Sequence, residues 1–156
     1  MTLKDTYPLP RMDECIDSLG DAQYFTTLDA YSGYWQMRIR KEDRTKTAFV
    51  CHAGTFQCTR IPFGLTNAPA CFQRALDLVL TKYKWKTCLV YLDDVIIYCN
   101  NLDDHIVHVN ETLSTLADAG ITLKVNKCHF FQKEVEYLGH MVKPGTLEIG
   151  KTNASP

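Results

Sequence analysis

The sequence predicts an α+β fold in which two helices cover one face of an antiparallel sheet. Three observations support this prediction. Strand-forming runs, rich in β-branched and aromatic residues, occur at 23–30, 46–61 and 87–99. Two longer segments carry apolar residues at helical spacing. The elements therefore follow the order strand, short strands, helix, hairpin, helix, strands, which favours an antiparallel sheet with its helices on one side.

The N-terminal region is predicted to connect into a short helix and then a strand. Pro8 and Pro10 favour extended backbone in MTLKDTYPLPRMDE. A short helix is expected near 12–19, with Gly20 ending it. The run QYFTTLDA then reads as a strand that places Asp29 at its C-terminal end.

The middle of the chain is predicted to form short strands followed by the first long helix. Ala53-Gly54 marks a turn within the strand-rich zone 46–61. The loop IPFGLTNAPA leads into a helix that Thr66 or Asn67 can cap, and Pro69 suits its first turn. The apolar face of this helix is predicted to comprise Phe72, Leu76, Val79 and Leu80.

The second half is predicted to form a hairpin, a second long helix and a group of short strands. The run 87–99 reads as two strands joined at its paired aspartates. A helix follows at about 102–119, with Asn101 as its cap and Gly120 at its C-terminal end. Pro144-Gly145 marks a hairpin near the end of the chain. The apolar face of the second helix is predicted to comprise Ile106, Val109, Leu113 and Leu116.

Charge and composition fit one globular domain rather than a disordered chain. Apolar residues make up 46% of the sequence and charged residues 22%, and the net charge is −1. The net charge gives no nucleic-acid signature. Two local segments are basic, RIRKEDRTK at 38–46 and KYKWK at 82–86. Either segment fits a phosphate backbone or a solvated face, and composition alone does not separate these alternatives.

The cysteines predict a reduced protein. The seven cysteines include no CxxC pair, and most have apolar neighbours. No signal peptide and no membrane-length apolar run is found, so no membrane partner is expected and the two N-x-S/T motifs carry no weight. A zinc site is an alternative, but its ligands would match no common spacing. The candidate ligands are Cys51, His52, Cys58, Cys128 and His129.

The tripeptide Leu-Asp-Asp occurs twice, and only one copy is easily explained. Asp103 and Asp104 fall in the first turn of a predicted helix, where the helix dipole favours negative charge. Asp93 and Asp94 lie in the apolar run CLVYLDDVIIY, where two carboxylates about 4 Å apart repel by roughly 4 kcal/mol at an effective dielectric of 20. A hard divalent cation such as Mg²⁺ would relieve this repulsion, and Asp29 is the natural third ligand. The rival hypothesis is an acidic surface turn.

The spacing and neighbours of these aspartates resemble a known family, the reverse transcriptase domain of gypsy-class LTR retrotransposons. Six segments match in the order of the family and span nearly all of residues 2–149. They are TLKDTYPLPRMDE, FTTLDAYSGYWQMRI, KTAFVCHAGTFQCTRIPFGLTNAPACFQR, YLDDVIIY, GITLKVNKCHFF and VEYLGHMVKPGTLEI. The resemblance implies a right-hand polymerase palm with a ferredoxin-like or RRM-like core and part of the fingers. It also implies RNA- or DNA-templated DNA synthesis.

The resemblance implies a role for each matching residue. Asp29, Asp93 and Asp94 match the catalytic carboxylates, which with the backbone of Ala30 would hold two Mg²⁺ ions, with Mn²⁺ as a substitute. Tyr34 matches the aromatic residue that excludes a 2′-hydroxyl. The other implied nucleotide contacts are Ser32, Gly33, Phe63, Gly64, Leu92 and Lys127, the last as a proton donor to pyrophosphate. The implied primer grip comprises Tyr137, Leu138, Gly139 and His140.

The same resemblance sets expectations for organisation and partners. Residues 1–149 would be palm and partial fingers, with the fingers insertion at about 36–64, and residues 150–156 a frayed or truncated tail. The expected partners are an RNA or DNA template-primer, dNTPs, and the thumb, connection and RNase H parts of a Pol polyprotein. The expected location is cytoplasmic, in virus-like particles, with the nucleus as an alternative. Low independent polymerase activity is expected, and the competing hypothesis is a non-catalytic or domesticated product that only binds nucleic acid or protein.

Overall fold

The computed structural model describes residues 3–149. Its helices are α1 (Met12–Asp17), α2 (Gly33–Gln36), α3 (Ala68–Val79) and α4 (Leu102–Asp118). Its strands are β1 (Tyr24–Asp29), β2 (Phe49–Cys51), β3 (Gly54–Phe56), β4 (Cys88–Tyr91), β5 (Asp94–Cys99), β6 (His129–Gln132), β7 (Val135–Tyr137), β8 (His140–Lys143) and β9 (Thr146–Ile149). Turns of 3-10 helix occupy Lys41–Thr47 and Val125–Lys127.

The central sheet has four strands in the order β4-β5-β1-β6, all antiparallel to their neighbours. Helices α3 and α4 pack on the same face of this sheet, because Leu76 and Leu116 share one buried cluster with Leu28, Val95 and other sheet residues. The predicted α+β fold, an antiparallel sheet backed by two helices, is confirmed. The turn at Ala53-Gly54, the strand ending at Asp29 and the hairpin at Pro144-Gly145 are confirmed as well.

The opposite face of the sheet is covered by a second cluster. Its buried side chains come from α1 and the residues just after it, from the sheet, and from β7 and β8, which form a separate three-stranded sheet with β9. They are Cys15, Ile16, Leu19, Ala22, Phe25, Leu89, Ile96, Val135, Tyr137 and Val142. The central sheet is therefore buried on both faces, which explains the nearly continuous apolar runs of β4 and β5.

Two predicted helix ends differ in the structure. Helix α1 ends at Asp17, before Gly20, and the next turn tightens: the Leu19 and Gly20 N–H groups donate to the carbonyls three residues back, at Ile16 and Asp17. Asn67 occupies the N-cap position of α3, but its side chain makes no cap bond. It accepts from the Asp5 N–H and donates to the Leu3 carbonyl instead, so it anchors the N-terminal segment.

The predicted apolar face of α4 is wrong at one position. Ile106 is 41% exposed, whereas His105 and Thr112 are fully buried beside Val109. The imidazole Nε2 of His105 lies 2.8 Å from the Thr26 hydroxyl on the central sheet. A hydrogen-bonded histidine thus takes a core position that apolar periodicity assigns to its neighbour.

Residues 37–61 form an excursion from the sheet, closed at its base by backbone hydrogen bonds. The Ile39 N–H donates to the Thr59 carbonyl and the Ile61 N–H to the Met37 carbonyl. The β2–β3 hairpin lies within this excursion, and α2 and the 3-10 turn at Lys41–Thr47 were not predicted because such short elements lack a measurable period. The limits of the fingers insertion remain a prediction.

The described cysteines are free thiols. Within residues 3–149 no helix combines the length and the apolar character needed to cross a bilayer. The predicted tail at 150–156 and the second N-x-S/T motif lie outside the described residues.

Candidate active site

The three aspartates implied as catalytic meet at one edge of the central sheet. Asp29 ends β1 and is the register partner of Asp94, which begins β5. The backbone N–H of Ala30 donates to the Asp93 carbonyl at 3.4 Å. Neighbouring strands are about 4.8 Å apart, so this register brings together Asp29 and Asp94, which are 65 residues apart in the chain.

The hairpin that carries two of these acids turns one residue earlier than the sequence suggests. Tyr91 pairs with Asp94, so the turn consists of Leu92 and Asp93 rather than the two aspartates. Leu92 has a φ of 53°, in the left-handed region that normally takes Gly, Asn or Asp. A left-handed residue with a branched side chain costs about 1–2 kcal/mol, so the turn needs support from its surroundings.

That support comes from Gln73, a residue that the sequence analysis missed. Gln73 is fully buried in α3. Its Oε1 accepts from the Leu92 N–H at 2.6 Å, and its Nε2 donates to the Val90 carbonyl at 3.2 Å and to Asp77 Oδ1 at 2.9 Å. The sequence signal that could have indicated a buried role for Gln73 was its position next to Phe72, within the predicted apolar part of the helix.

Asp77 extends this network to the N-terminal segment. Its Oδ2 accepts from the Tyr7 hydroxyl at 2.6 Å, and the Lys84 ammonium lies 2.6 Å from its Oδ1. The hydrogen bond to Asp77 is the main reason that the pKa of Tyr7 is raised. The Leu92–Asp93 turn is therefore connected, through the buried side chains of Gln73 and Asp77 in α3, to Tyr7 in the N-terminal segment.

The carboxyls of the site repel one another. Burial raises the pKa of Asp93, and the charge of Asp29 raises it further. Asp94 is more exposed, but partial desolvation still raises its pKa, with additional contributions from Asp29 and Asp93 and a smaller opposing effect of Lys127. Oδ1 of Asp93 is buried without a hydrogen-bond partner in the described part of the chain. Crowded, partly desolvated and under-bonded carboxylates of this kind are stabilised by a cation.

The donor set suits a divalent metal, although the side chains are not gathered around one point. Among residues 3–149 no three Asp, Glu, His or Cys side chains form a ready-made metal cage. The three aspartates nevertheless supply only oxygen ligands at one sheet edge, and one Asp93 oxygen has no hydrogen-bond partner among residues 3–149. Their chemistry therefore fits Mg²⁺ or Mn²⁺.

Tyr34 lies near Asp93 and packs between two aromatic rings. Its ring contacts Phe72 and Phe63 edge to face, with centroid distances of 6.0 and 5.3 Å. Burial raises the pKa of Tyr34, and the nearby Asp93 charge raises it further. Gly33 is required for packing, because a Cβ at this position would lie 2.6 Å from the Phe72 ring.

The other implied nucleotide contacts surround this group. Ser32 precedes α2 with a φ of 47°, and Ala30 is almost fully buried at the end of β1. Phe63 is 60% exposed, and Gly64 follows it with a φ of 92° that favours glycine. The Phe63 ring also lies 6.5 Å from the ring of Trp35, centroid to centroid. The structure thus clusters Phe63 with Tyr34 but leaves one face of Phe63 open.

A cleft of about 280 Å³ joins the carboxylates to the implied primer grip. Its lining includes Asp29, Asp94, Lys127, Tyr137 and Leu138. The Lys127 ammonium lies 3.7 Å from Asp29 Oδ2, so the sequence-implied lysine does reach the site.

The implied grip residues have different environments. Tyr137 is a core residue: its side chain is buried, its hydroxyl has no hydrogen-bond partner among the described residues, and burial strongly raises its pKa. Leu138 and Gly139 form the β7–β8 turn with φ values of 51° and 76°, and His140 begins β8. Within the implied grip the turn and His140 are therefore more exposed than Tyr137, although Tyr137 and Leu138 border the cleft.

Comparison with known proteins agrees with this geometry. Over 148 residues the chain is 44% identical to the Retrovirus-related Pol polyprotein from transposon 297 of Drosophila melanogaster, covering 95% of this chain and 14% of that protein. It is 46% identical over 146 residues to the corresponding polyprotein from transposon gypsy of the same organism, covering 93% of this chain and 14% of that protein. The chain thus spans only 14% of the length of these curated relatives.

Solved structures show the same fold. The foamy viral protease-reverse transcriptase dRH in complex with double-stranded DNA matches with a TM-score of 0.88 at 22% identity, over 99% of this chain and 28% of that one. The native Prototype Foamy Virus protease-reverse transcriptase matches with a TM-score of 0.77 at 27% identity, over 88% of this chain and 19% of that one. The family model described as reverse transcriptase (RNA-dependent DNA polymerase) matches residues 1–142. The chain therefore belongs to the reverse transcriptase family, and its relatives place it in the gypsy class of retrotransposon Pol sequences.

Proposed function

We propose that this chain forms the palm, with part of the fingers at about 36–64, of an RNA-directed DNA polymerase. Its reaction would be nucleotidyl transfer from a dNTP to a primer 3′-hydroxyl on an RNA or DNA template. The observation that carries the proposal is the convergence of Asp29, Asp93 and Asp94 at one sheet edge, where the carboxyls repel one another and one Asp93 oxygen has no hydrogen-bond partner within residues 3–149.

Asp29, Asp93 and Asp94, with the backbone of Ala30, would hold two Mg²⁺ ions, and Mn²⁺ would substitute for them. When bound, such ions activate the attacking hydroxyl and stabilise the leaving oxygen. The strained Leu92–Asp93 turn, held by Gln73, fixes the direction of the two hairpin carboxyls. The protein would thus provide anionic ligands on a fixed backbone, and their side chains would converge on the ions when metal and substrate bind.

The remaining residues would orient and select the nucleotide. Tyr34 is wedged between Phe63 and Phe72 and cannot easily move aside, so its ring would exclude a 2′-hydroxyl and select dNTPs. Leu92, Phe63 and the open backbone at Gly64 would contact the nascent base pair. Ser32 and Gly33, at the start of α2, would approach the triphosphate.

Lys127 and the β7–β8 turn would act on opposite ends of the reaction. The Lys127 Nζ, near Asp29, would donate a proton to the departing pyrophosphate. The turn at Leu138 and Gly139, with His140 beside it, would hold the primer end in line, and Tyr137 would anchor this turn in the core. Correct placement of the reacting ends supplies much of the reduction in barrier.

The proposed partners follow from the relatives. The foamy viral structures contain double-stranded DNA or an RNA/DNA hybrid, which supports a template-primer as the ligand of this chain. Because the relatives are much longer polyproteins, thumb, connection and RNase H regions would act together with this palm. The proposed location is the cytoplasm, within virus-like particles, or the nucleus.

Metal binding and single-nucleotide incorporation test the proposal. The loss of the free-ion EPR signal measures Mn²⁺ binding, and the Mn²⁺ affinity should fall at least tenfold in Asp94→Asn. The rate at which one dTMP is added to a primed poly(rA) template should fall by on the order of 10³-fold, because several kcal/mol of transition-state stabilisation is lost. The matched control is Asp104→Asn, in the other Leu-Asp-Asp, which should leave both unchanged. Equal Mn²⁺ binding by wild type and Asp94→Asn would refute the metal site, and template-primer binding without metal binding would leave a nucleic-acid binding module.

A further inference from the structure

A second group of charged side chains lies outside the carboxylate site, at the base of the excursion formed by residues 37–61. Arg38, Arg44 and Arg60, with Thr59, line a cleft of about 180 Å³. Arg38 and Arg60 are directly opposite each other in an isolated antiparallel bridge. Like charges at directly opposed positions are destabilising, so this pairing has a cost within the isolated fold.

No carboxylate offsets that cost. Among residues 3–149 none of the three arginines forms an ion pair with an Asp or Glu side chain. Asp43, the acid that immediately precedes Arg44, is already paired with the Lys46 ammonium. The cleft therefore carries three positive charges that no carboxylate pairs with in the described part of the chain.

Two of the three guanidinium groups are held in place by the backbone. Nη1 of Arg60 donates to the carbonyls of Trp35 and Gln36, at 3.2 and 2.8 Å. Nε of Arg44 donates to the Ile39 carbonyl at 3.2 Å. These bonds use only part of the donor fork of each guanidinium, so the other N–H groups remain available to an anion. Planar forks of this kind match phosphate geometry.

An aromatic cavity adjoins the arginine cleft and shares Arg60 with it. This cavity, of about 310 Å³, is also lined by Tyr31, Trp35 and Thr122. The two rings are 56% and 43% exposed, respectively, so their surfaces are accessible.

Gln36 makes the floor of the aromatic cavity rigid. Its side-chain amide donates to the carbonyls of Tyr31 and Thr122, at 2.6 and 3.0 Å, and accepts from the Thr122 N–H at 2.8 Å. These hydrogen bonds fix the backbone beside Tyr31 and Trp35, so a ligand does not need to order this segment, which we call the aromatic shelf.

We propose that these adjoining cavities form a strand-binding site for one nucleotide unit of single-stranded nucleic acid, with the phosphate at Arg38, Arg44 and Arg60 and the base against Trp35 or Tyr31. Aromatic stacking beside a basic groove is how proteins bind single strands without sequence preference. The site assigns a ligand to Arg38 and Arg44, two of the five basic residues in the segment 38–46. It rests on the proposed function only in taking nucleic acid as the ligand.

Fluorescence anisotropy with 5′-labelled dT12 in EDTA, over a range of KCl concentrations, tests the arginine cleft. In Arg38→Gln the affinity should fall several-fold, and the slope of log K against log[KCl] should become shallower by about 0.7, the value for one single-strand phosphate contact. Arg60→Lys, which keeps the charge but loses the fork, should weaken binding less. The matched control is Arg11→Gln, because Arg11 is exposed but already paired with Asp13. Wild-type affinity and slope in both cleft variants would overturn the proposal.

Tryptophan emission tests the aromatic shelf. Trp35 and Trp85 are the two tryptophans of the chain, so a Trp85→Phe background isolates Trp35. Emission should be quenched by dT12, and Trp35→Leu should weaken dT12 binding about tenfold. Quenching by dTTP without binding of dT12 would overturn the assignment to a strand in favour of a free nucleotide. Unchanged emission at saturating dT12 would overturn the stacking contact.

The outcome is separable from that of the carboxylate site. In EDTA, Arg38→Gln should weaken dT12 binding by the same factor in the Asp93→Asn, Asp94→Asn background as in the wild-type background, because the arginine cleft and the aromatic cavity do not contain these two carboxylates. Thermal melts of the arginine and tryptophan variants show whether a loss of binding reflects unfolding. The two predictions are therefore independent. The carboxylate variants can retain metal binding while the arginine variants lose strand binding, and the reverse result is equally measurable.

Discussion

The two copies of Leu-Asp-Asp have the same side chains and opposite environments. At 92–94 the tripeptide makes a tight turn between sheet strands, with a left-handed Leu92 and with raised pKa values for both carboxyls. At 102–104 it forms the first turn of α4, exposed to solvent, where the Asn101 side chain accepts from the Asp104 N–H. The first copy depends on groups distant in the chain, whereas the second is stabilised by its own helix. An acidic pair therefore gains chemical meaning only from the elements around it.

The largest loss of stability is expected when the side chain that holds the first Leu-Asp-Asp turn, Gln73, loses its hydrogen-bonding groups. Gln73→Met leaves the Leu92 N–H and the Val90 carbonyl without the partner they have now, in a buried site. We expect a loss of about 2–3 kcal/mol, because each unsatisfied buried polar group costs about 1–3 kcal/mol. Urea denaturation measures this loss. Mn²⁺ affinity should fall as well, since the turn that carries Asp93 is no longer held.

The control for that experiment is Gln57→Met, since Gln57 is exposed and lies outside the turn's network. It should change the free energy of unfolding by less than about 0.5 kcal/mol. Equal stability of Gln73→Met and wild type would show that the hydrogen bonds to Gln73 do not hold the turn.

Removal of the support at the second copy should have a smaller effect. Asn101→Ala deletes the side-chain acceptor of the Asp104 N–H, and loss of an N-cap costs about 1 kcal/mol. Mn²⁺ binding should be unaffected, because α4 begins outside the carboxylate site. Asn100→Ala, at the adjacent exposed residue, is the matched control in the same urea titration. A similar loss in both variants would argue against the cap.

The smallest effects should have opposite signs at the two copies. In the metal-free protein, Asp93→Asn with Asp94→Asn should stabilise the fold by about 1 kcal/mol, a value that allows for solvent screening at the exposed Asp94. Asp103→Asn with Asp104→Asn should destabilise it, because each carboxylate near a helix N-terminus contributes about 0.3–1 kcal/mol. Thermal melts at low salt measure both. A loss of stability in the first pair would contradict the repulsion.

The pH dependence follows from the same carboxyls. Because the pKa values of Asp93 and Asp94 are raised above the ordinary 3.8, the folded state binds more protons than the unfolded state between that value and the raised ones. The contribution of these groups to stability therefore decreases as the pH rises through this window. In EDTA, the double Asn variant should lose this part of the pH slope. Retention of the full slope would assign it to other groups.

Local sequence patterns predicted those parts of the molecule that depend on near neighbours. The helix start at Asn101, the turn at Pro144-Gly145 and the strand ending at Asp29 each follow from residues within a few positions. Where a distant partner intervened, the prediction was wrong. His105 occupies the core position predicted for Ile106 because it can bond to Thr26 on the sheet, and the Asn67 side chain bonds to the N-terminal segment instead of capping α3.

The candidate active site likewise has features that the sequence predicted and features that only the structure shows. The sequence by itself determined that Asp93 and Asp94 are out of place in an apolar run, and its motifs placed the chain in its family. Only the tertiary structure decided that Leu92 and Asp93 make the turn, that Gln73 holds it, and that Arg38 lies opposite Arg60. The physical reason is that strand register and buried hydrogen bonds join residues far apart in the chain, and no local pattern records such pairings.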